Sequence, residues 1–490
     1  MEKTPHHSLG IQSAMILAVQ FLPTLKSFLL FPLIIKFLDT AAYGAYSQIV
    51  ALFGFVSVLA LLGLNVAIDR FFPGERDQRR VRNDFWLITI ITLGNSVILA
   101  LLLYSIRDLI LQLFFRTFSY GFPFLLALIA LPFSNLYQLF ANSFIAFGRS
   151  RALTVIVFFR NCSELLLITA ILIAGMGLDA VFGMALLSVF LTLVLAWWFV
   201  VQRLPFQVPV IPPQRLRTYL TTGLPLFFAH ITYWIINSSD RLIIGYFLDL
   251  RSVGIYSGLY NVANLFIALA SFTFFGSLPF LSYLWNRKQK QQIAPAFRTF
   301  FNYYWLLAIP AFFGMLIVGR EALLFLSNTD FTAAFAVFPV LVLSILLYAG
   351  LSFYDYILIL HQKSSTVLQW TSIAAVVNLI ANLLLVPRLG ILGAAMATFL
   401  TSVGYSLVIY SAAQKYTPLR QDYLHIAKII LASLTMFALA LFAKQFVPIS
   451  SIPMLVLYIF GGMVIYAVLA YSFQIHRGIE VRYLRMVFQR

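Results

Sequence analysis

The stretch Phe37-Leu38-Asp39-Thr40-Ala41-Ala42-Tyr43-Gly44-Ala45-Tyr46-Ser47 returns 210 positions later as Phe247-Leu248-Asp249-Leu250-Arg251-Ser252-Val253-Gly254-Ile255-Tyr256-Ser257. Both copies follow one frame, FLD-x4-G-x-Y-S. Further on, Gly183-Met184-Ala185 aligns with Gly393-Ala394-Ala395 at the same offset. Two separate matches at one offset mark an internal duplication. It relates roughly residues 9–201 to 219–412.

Composition sets the solvent. Hydrophobic residues are 62% of the 490-residue chain and charged residues only 10%, against about a quarter charged in soluble domains. Mean hydropathy is +0.93. Such a chain cannot cover a water-facing surface, so lipid surrounds it. Spans of about 20 apolar residues fall at roughly 9–37, 43–68, 85–105, 121–146, 152–173, 180–201, 219–247, 253–284, 299–318, 334–360, 366–386, 391–412, 425–443 and 452–473. Pro23 and Pro32 predict a kinked or broken first span. That span is far longer than a signal-peptide core and no small-residue cleavage site follows it, so it reads as a retained helix.

The net charge of +17 is not a nucleic-acid patch, because the cations sit in short loops between apolar runs. With the amino terminus cytoplasmic, twenty-three of the 33 Lys and Arg residues fall on the cytoplasmic side. Six fall opposite (Arg107, Arg116, Arg251, Arg320, Arg388, Lys444), and Lys26, Lys36, Arg160 and Arg241 lie within spans. The positive-inside rule then places both termini in the cytoplasm of an inner-membrane protein. No loop is long enough to fold alone, which argues against a membrane glycosyltransferase, ligase or polymerase. Cys162 excludes an internal disulfide and reads as packing. The six histidines are scattered: neither a metal site nor a cofactor is expected.

The organisation expected is an all-α membrane protein of fourteen transmembrane helices. Residues 1–201 form one six-helix bundle, 202–218 a cytoplasmic linker and 219–412 the second bundle. Two extra peripheral helices occupy 413–473, and 474–490 form a basic cytoplasmic tail that lies on anionic lipid or stays solvated. Six spans per copy leave both copies with the same orientation, a parallel repeat about an axis along the membrane normal. Two such bundles are expected to face a cavity at mid-membrane and to alternate access to it.

Three groups of residues carry a family resemblance. The first is Pro32-Leu33 through Gly44-Ala45-Tyr46-Ser47, with Leu62-Gly63-Leu64 and Arg70-Phe71-Phe72. The second is Asp240-Arg241-Leu242-Ile243-Ile244-Gly245, followed by Val253-Gly254-Ile255-Tyr256-Ser257. The third is Asn378 with Pro387-Arg388-Leu389-Gly390-Ile391-Leu392-Gly393-Ala394-Ala395-Met396-Ala397-Thr398. In these the chain resembles the polysaccharide-transporter, O-antigen flippase branch of the multidrug/oligosaccharidyl-lipid/polysaccharide flippase superfamily. The resemblance implies a non-enzymatic flippase for an undecaprenyl-diphosphate-linked oligosaccharide, working among membrane lipids and alongside other polysaccharide-assembly membrane proteins.

Ionisable residues inside spans are the sharpest site signals, because hydrocarbon penalises charge. Lys26 has no acidic neighbour in sequence and reads as an unpaired cavity cation. Arg160 precedes Glu164 by one helical turn, so a self-neutralising pair and a ligand site both remain open. Asp240-Arg241 either stabilises a helix end or touches substrate. Lys36 lies near a span end and snorkels. Polar stripes follow helical spacing: Ser13, Gln20, Thr24 and Ser27; His230, Trp234, Asn237 and Arg241; Ser257, Asn261, Asn264 and Ser271; Ser344, Tyr348, Ser352 and Asp355. The third is read as interhelical glue. Lys26, Arg160, His230, Trp234, Asn237, Arg241 and Tyr348 are the expected substrate-binding residues, with Trp234 and Tyr348 facing sugar. Glu164 and Asp355 are the expected ion-coupling acids, with His230 as a further titratable group.

Two other functions fit the same chain. A multidrug and toxin extrusion antiporter would need a carboxylate free to attract a cation; here Lys26 and Arg160 outnumber Glu164. A non-transporting scaffold of a polysaccharide-assembly complex would leave the repeat and the polar stripes without purpose.

Overall fold

The computed structural model describes residues 7–210, 212–274, 277–419 and 421–475, with side chains from Phe21 onward except those of Pro213 and Phe272. Ser13 and Gln20 therefore lie outside the described side chains, and residues 476–490 of the basic tail lie outside the described residues. Every regular element among the described residues is helical. The chain divides into two compact units, Met1–Ser257 and Gly258–Arg490.

The first unit contains α1 (His7–Phe37), α2 (Thr40–Leu61), α3 (Leu64–Phe71), α4 (Gln78–Ser105), α5 (Arg107–Ile110), α6 (Gly121–Ala146), α7 (Ser150–Ile173), α8 (Leu178–Val201), α9 (Pro213–Phe247) and the start of α10 (Leu250–Asn264). The second holds the rest of α10, then α11 (Ile267–Phe274), α12 (Ser277–Asn286), α13 (Ile293–Leu326), α14 (Thr329–Ala333), α15 (Val337–Leu351), α16 (Asp355–Leu360), α17 (Ser364–Leu389), α18 (Ile391–Gln414), α19 (Tyr423–Phe446) and α20 (Ile452–Ser472). Twelve helical stretches among the described residues are long and apolar enough to cross a membrane. Helices α1 and α9, of 31 and 35 residues, occupy the first and seventh expected spans and are not among those twelve.

Several expected spans differ from single straight helices. Helix α1 runs unbroken through Pro23 and Pro32; within a membrane, neighbouring groups re-satisfy what a proline frees. The second span instead breaks after α2, where Leu62 and Gly63 take the left-handed conformation at φ 48° and 71°. The tenth changes at Ser352–Tyr354 to a 3-10 turn, so Asp355 opens α16. At that turn Phe353 stacks between Phe274 and Phe297, with ring centroids 4.1 and 4.3 Å away.

In lipid, burying apolar area gains little, so close van der Waals packing carries helix association. Helix α1 packs on α7, α6 on α8 and α4, and α9 on α2 and α3. Phe85, Trp86, Phe140 and Phe144 fill the meeting of α3, α4, α6 and α8, each with at most 2% exposure. In the second unit α13 is the hub, touching α11, α15, α19 and α20. Lys444 of α19 reaches Glu321 of α13 at 2.9 Å and the Ile317 carbonyl at 2.7 Å. Helix α20 has no buried residue.

The repeated motif supplies the tightest crossing. Asp39 caps α2 by accepting from the Ala42 N–H at 2.6 Å, and Asp249 does the same for Ser252 at 2.7 Å, one repeat later. Five residues after each Asp sits the shared glycine. A Cβ on Gly44 would lie 1.8 Å from the Leu250 carbonyl oxygen, and one on Gly254 would lie 2.0 Å from that of Thr40. Thr40 and Leu250 are themselves 210 residues apart. The contact maps onto itself when the copies exchange, as an isologous two-fold contact does.

Substitution there tests the crossing. Gly44→Ala or Gly254→Ala must push two backbones apart and is expected to destabilise by at least about 1–3 kcal/mol, read as a lower thermal midpoint in detergent. Gly94→Ala meets nothing within 4 Å and is expected to be neutral or to stabilise by up to about 1 kcal/mol through helix propensity. Equal tolerance at both places would contradict the crossing.

Candidate functional site

Lys26 is not unpaired. Its Nζ lies 3.0 Å from the Glu164 Oε2, across the interface of α1 and α7. The reading as a lone cation is corrected: sequence proximity reveals partners one helical turn away, whereas this one is brought by helix packing. Glu164 also accepts from Arg160, one turn earlier on α7. Arg160 donates in addition to the Ser188 hydroxyl of α8 at 3.0 Å, and Ser188 meets Ser163 at 2.7 Å. Two cations thus share one carboxylate, and the cluster keeps an excess positive charge.

Burial gives this arrangement its weight. Side-chain exposure is 6% for Glu164, 19% for Lys26 and 18% for Arg160. A lone buried charge costs several kcal/mol even after relaxation, so the carboxylate holds both cations in place. Of the two alternatives left open for Arg160 and Glu164, the structure shows the pairing, within a cluster that Lys26 joins. Tyr46 and Tyr137 lie near enough to feel these charges.

The α9 stripe is engaged differently. Trp234 donates its indole N–H to the Ala51 carbonyl at 2.9 Å and packs on Phe55 at 4.6 Å, so it ties α9 to α2. Asn237 donates to the Tyr233 carbonyl at 2.8 Å. Arg241 bonds the Asn237 carbonyl at 2.6 Å and Asp240 at 3.0 Å. Asp240, 1% exposed, accepts from the Tyr256 hydroxyl at 2.5 Å. His230 is exposed. In the second unit, Tyr405 of α18 donates its hydroxyl between both Asp355 oxygens, at 3.0 Å from each. Tyr348 lies 5.6 Å from the Tyr405 ring. Ser188 and Tyr405 carry no signal in the sequence and are found only through the charged group each touches; Tyr256 stands in the repeated motif, but its bond to Asp240 shows only in the fold.

The sequence profile of the family described as "Polysaccharide biosynthesis protein" matches residues 11–285, more than half of the chain, and the chain belongs to that family. A "Probable low-salt glycan biosynthesis flippase" of Haloferax volcanii is 27% identical over 242 residues, 48% of this chain and 50% of the relative. The chain thus spans about half the length of that curated relative. Among solved structures, the lipid II flippase MurJ in an inward closed conformation aligns over 94% of this chain and 98% of its own. The TM-score is 0.74 and the identity 15%. An inward-facing multidrug resistance MATE family transporter of the MOP superfamily aligns over 82% of this chain and 99% of its own, with TM-score 0.64 at 15% identity. At such identities the likeness is one of fold.

The cluster predicts an unequal response to mutation. Glu164→Gln leaves two buried cations facing each other and is expected to cost about 3–5 kcal/mol. Lys26→Ala leaves Glu164 its Arg160 partner and is expected to cost less. Thermal midpoints of the purified variants in one detergent check the order; equal losses would contradict the three-residue arrangement.

Proposed function

We propose that this member of the polysaccharide biosynthesis protein family is a flippase. It carries an undecaprenyl-diphosphate-linked oligosaccharide from the cytoplasmic to the outer leaflet of the inner membrane by alternating access, without enzymatic chemistry of its own. The observation that carries the reading is the excess positive charge of the Lys26–Arg160–Glu164 cluster at membrane depth. A diphosphate leaving water must exchange hydration for fixed cationic donors. Lys26 and Arg160 supply them, and Glu164 holds them in position while no substrate is bound. The family, the relative named as a glycan biosynthesis flippase and the fold shared with a lipid II flippase support the same direction. The cation bias of the loops places both termini in the cytoplasm, with α1 and α9 completing fourteen spans. Partner proteins of polysaccharide assembly follow from the family's role.

The fold is equally that of a multidrug antiporter, and the charge argues against that reading. A cationic drug needs an available carboxylate, and the first-unit carboxylate Glu164 is already held by two cations. Reconstitution tests the choice. In proteoliposomes holding a labelled undecaprenyl-diphosphate oligosaccharide, the protein is expected to exchange the glycolipid between leaflets and to leave an organic cation in place. Lys26→Ala is expected to slow exchange about tenfold or more, the loss of a charge-assisted hydrogen bond worth about 1.5–3 kcal/mol. Lys26→Arg keeps the charge and is expected to retain part of the rate. Efflux of the cation without glycolipid exchange would establish the antiporter instead.

A further inference from the structure

A second polar site lies in the first unit, away from the Lys26 cluster. The loop after α3 and the starts of α4 and α9 enclose a cavity of about 270 Å³, lined by Phe71, Glu75, Arg80, Asp84, Arg215 and Tyr219 among others. The loop cations around it belong to the face that the cation bias assigns to the cytoplasm. Asp84, 2% exposed, forms the floor. Its two oxygens accept from the Arg215 guanidinium at 3.0 and 2.9 Å, and one also accepts from the Tyr219 hydroxyl at 2.5 Å. Arg80 pairs with Glu75 at 3.3 Å. The Asp77 N–H and the Arg80 side chain hold the Glu75 carboxyl below the usual carboxylate range, so it stays ionised. The rings of Phe71 and Tyr219, 5.2 Å apart, make an apolar side.

The site is held in place from several sides. Gly63 and Gly223 approach so closely that a Cβ on either would meet the other's carbonyl oxygen, at 2.3 and 2.6 Å. That fixes α9 against the start of α3. Asn83 exchanges two hydrogen bonds with the Val210 backbone, at 3.0 and 2.8 Å. Trp86 donates to the Pro205 carbonyl at 3.1 Å. These bonds clamp the segment before α9 onto α4.

Charge balance selects the ligand. The lining holds two arginines and two carboxylates, each arginine paired with an acid. An anion would face Asp84 and Glu75, and a cation would face Arg80 and Arg215. A neutral polyhydroxyl ligand meets no such conflict. Carboxylates accept from adjacent hydroxyls and guanidinium groups donate to them, and aromatic rings receive the apolar face of a sugar. The volume falls below the about 300–1,000 Å³ of drug-sized pockets, which suits a sugar or two rather than a lipid.

We propose that this cavity is a carbohydrate subsite that recognises sugars of the glycan on the cytoplasmic face before translocation. The inference rests on the flippase reading and adds a specificity-determining site to it. A site built to hydrogen-bond hydroxyls rejects ligands lacking them, so selection of completed glycans can occur here, apart from the cations that receive the diphosphate.

Saturation-transfer NMR on the full chain in nanodiscs tests it. The probes are free maltose, lactose, chitobiose and a rhamnosyl-glucose disaccharide, with inorganic pyrophosphate and phosphoethanolamine as the charged arms. At least one disaccharide is expected to give transfer that Thr218→Trp abolishes; Thr218 is an exposed lining residue, so its replacement fills the cavity without disturbing Asp84. Glu75→Gln, at a lining carboxylate with 28% side-chain exposure, is expected to weaken the same signal about tenfold, one lost charged hydrogen bond. Absence of transfer from every disaccharide overturns the proposal, as does a signal that survives Thr218→Trp. Pyrophosphate or phosphoethanolamine binding that Thr218→Trp removes overturns it in favour of a charged headgroup. Saccharide binding here without glycolipid exchange in proteoliposomes would sink the flippase reading and leave the sugar site standing. The reverse result would sink only the site.

Discussion

Hydrocarbon supplies no hydrogen bonds and solvates no charge, and this single condition shapes most of the molecule. It favours helices, which satisfy the backbone within each segment. It also requires each charge carried to depth to find a partner. Lys26 and Arg160 converge on Glu164, Arg241 folds back on Asp240, and Asp240 takes the Tyr256 hydroxyl. Each of these contacts fixes one helix relative to another or stiffens a single helix. Polar groups that look like free binding residues in the sequence are in this way drawn into structural work, as Trp234 is by the Ala51 carbonyl.

The other organising contact is the crossing of the duplicated motif. Where lipid gives no hydrophobic drive, helices gain by close approach, and glycine permits the closest. Gly44 and Gly254 bring α2 and α10 into backbone contact, while Asp39 and Asp249 begin the two helices alike. One short motif therefore serves as cap and as contact surface in both copies. Outside it the copies have diverged. At the repeat offset, Lys26, Arg160 and Glu164 correspond to Ile236, Trp370 and Ala374, so the charged cluster belongs to the first copy alone.

That asymmetry bears on transport. A substrate with a charged end and a neutral sugar end needs two kinds of surface. The Lys26 cluster carries excess positive charge, whereas the Asp84 cavity is balanced and rimmed by aromatic rings. On the proposed reading, separating the two would let the cations act on the diphosphate and leave the choice among glycans to hydroxyl geometry. Asp355 and Tyr405 form a third, smaller polar set in the second unit, at the 3-10 turn that interrupts the helix.

Apolar runs determined the membrane class and most of the helices, and the motif residues around Gly44, Asp240 and Gly390 carried the resemblance to the family, because each is a linear property of the chain. Lys26, Arg160 and Glu164 were legible singly for the same reason: a charge in an apolar run stands out wherever it folds. Their meeting was not, since Glu164 lies 138 positions from Lys26 and only the packing of α7 on α1 joins them. Neither was the Asp84 cavity, whose Arg215 and Tyr219 come from the start of α9, nor the break at Leu62-Gly63, where Gly223 of α9 lies close by. Which residues are charged is written in order along the chain; which charges neutralise one another depends on distances that only tertiary packing sets.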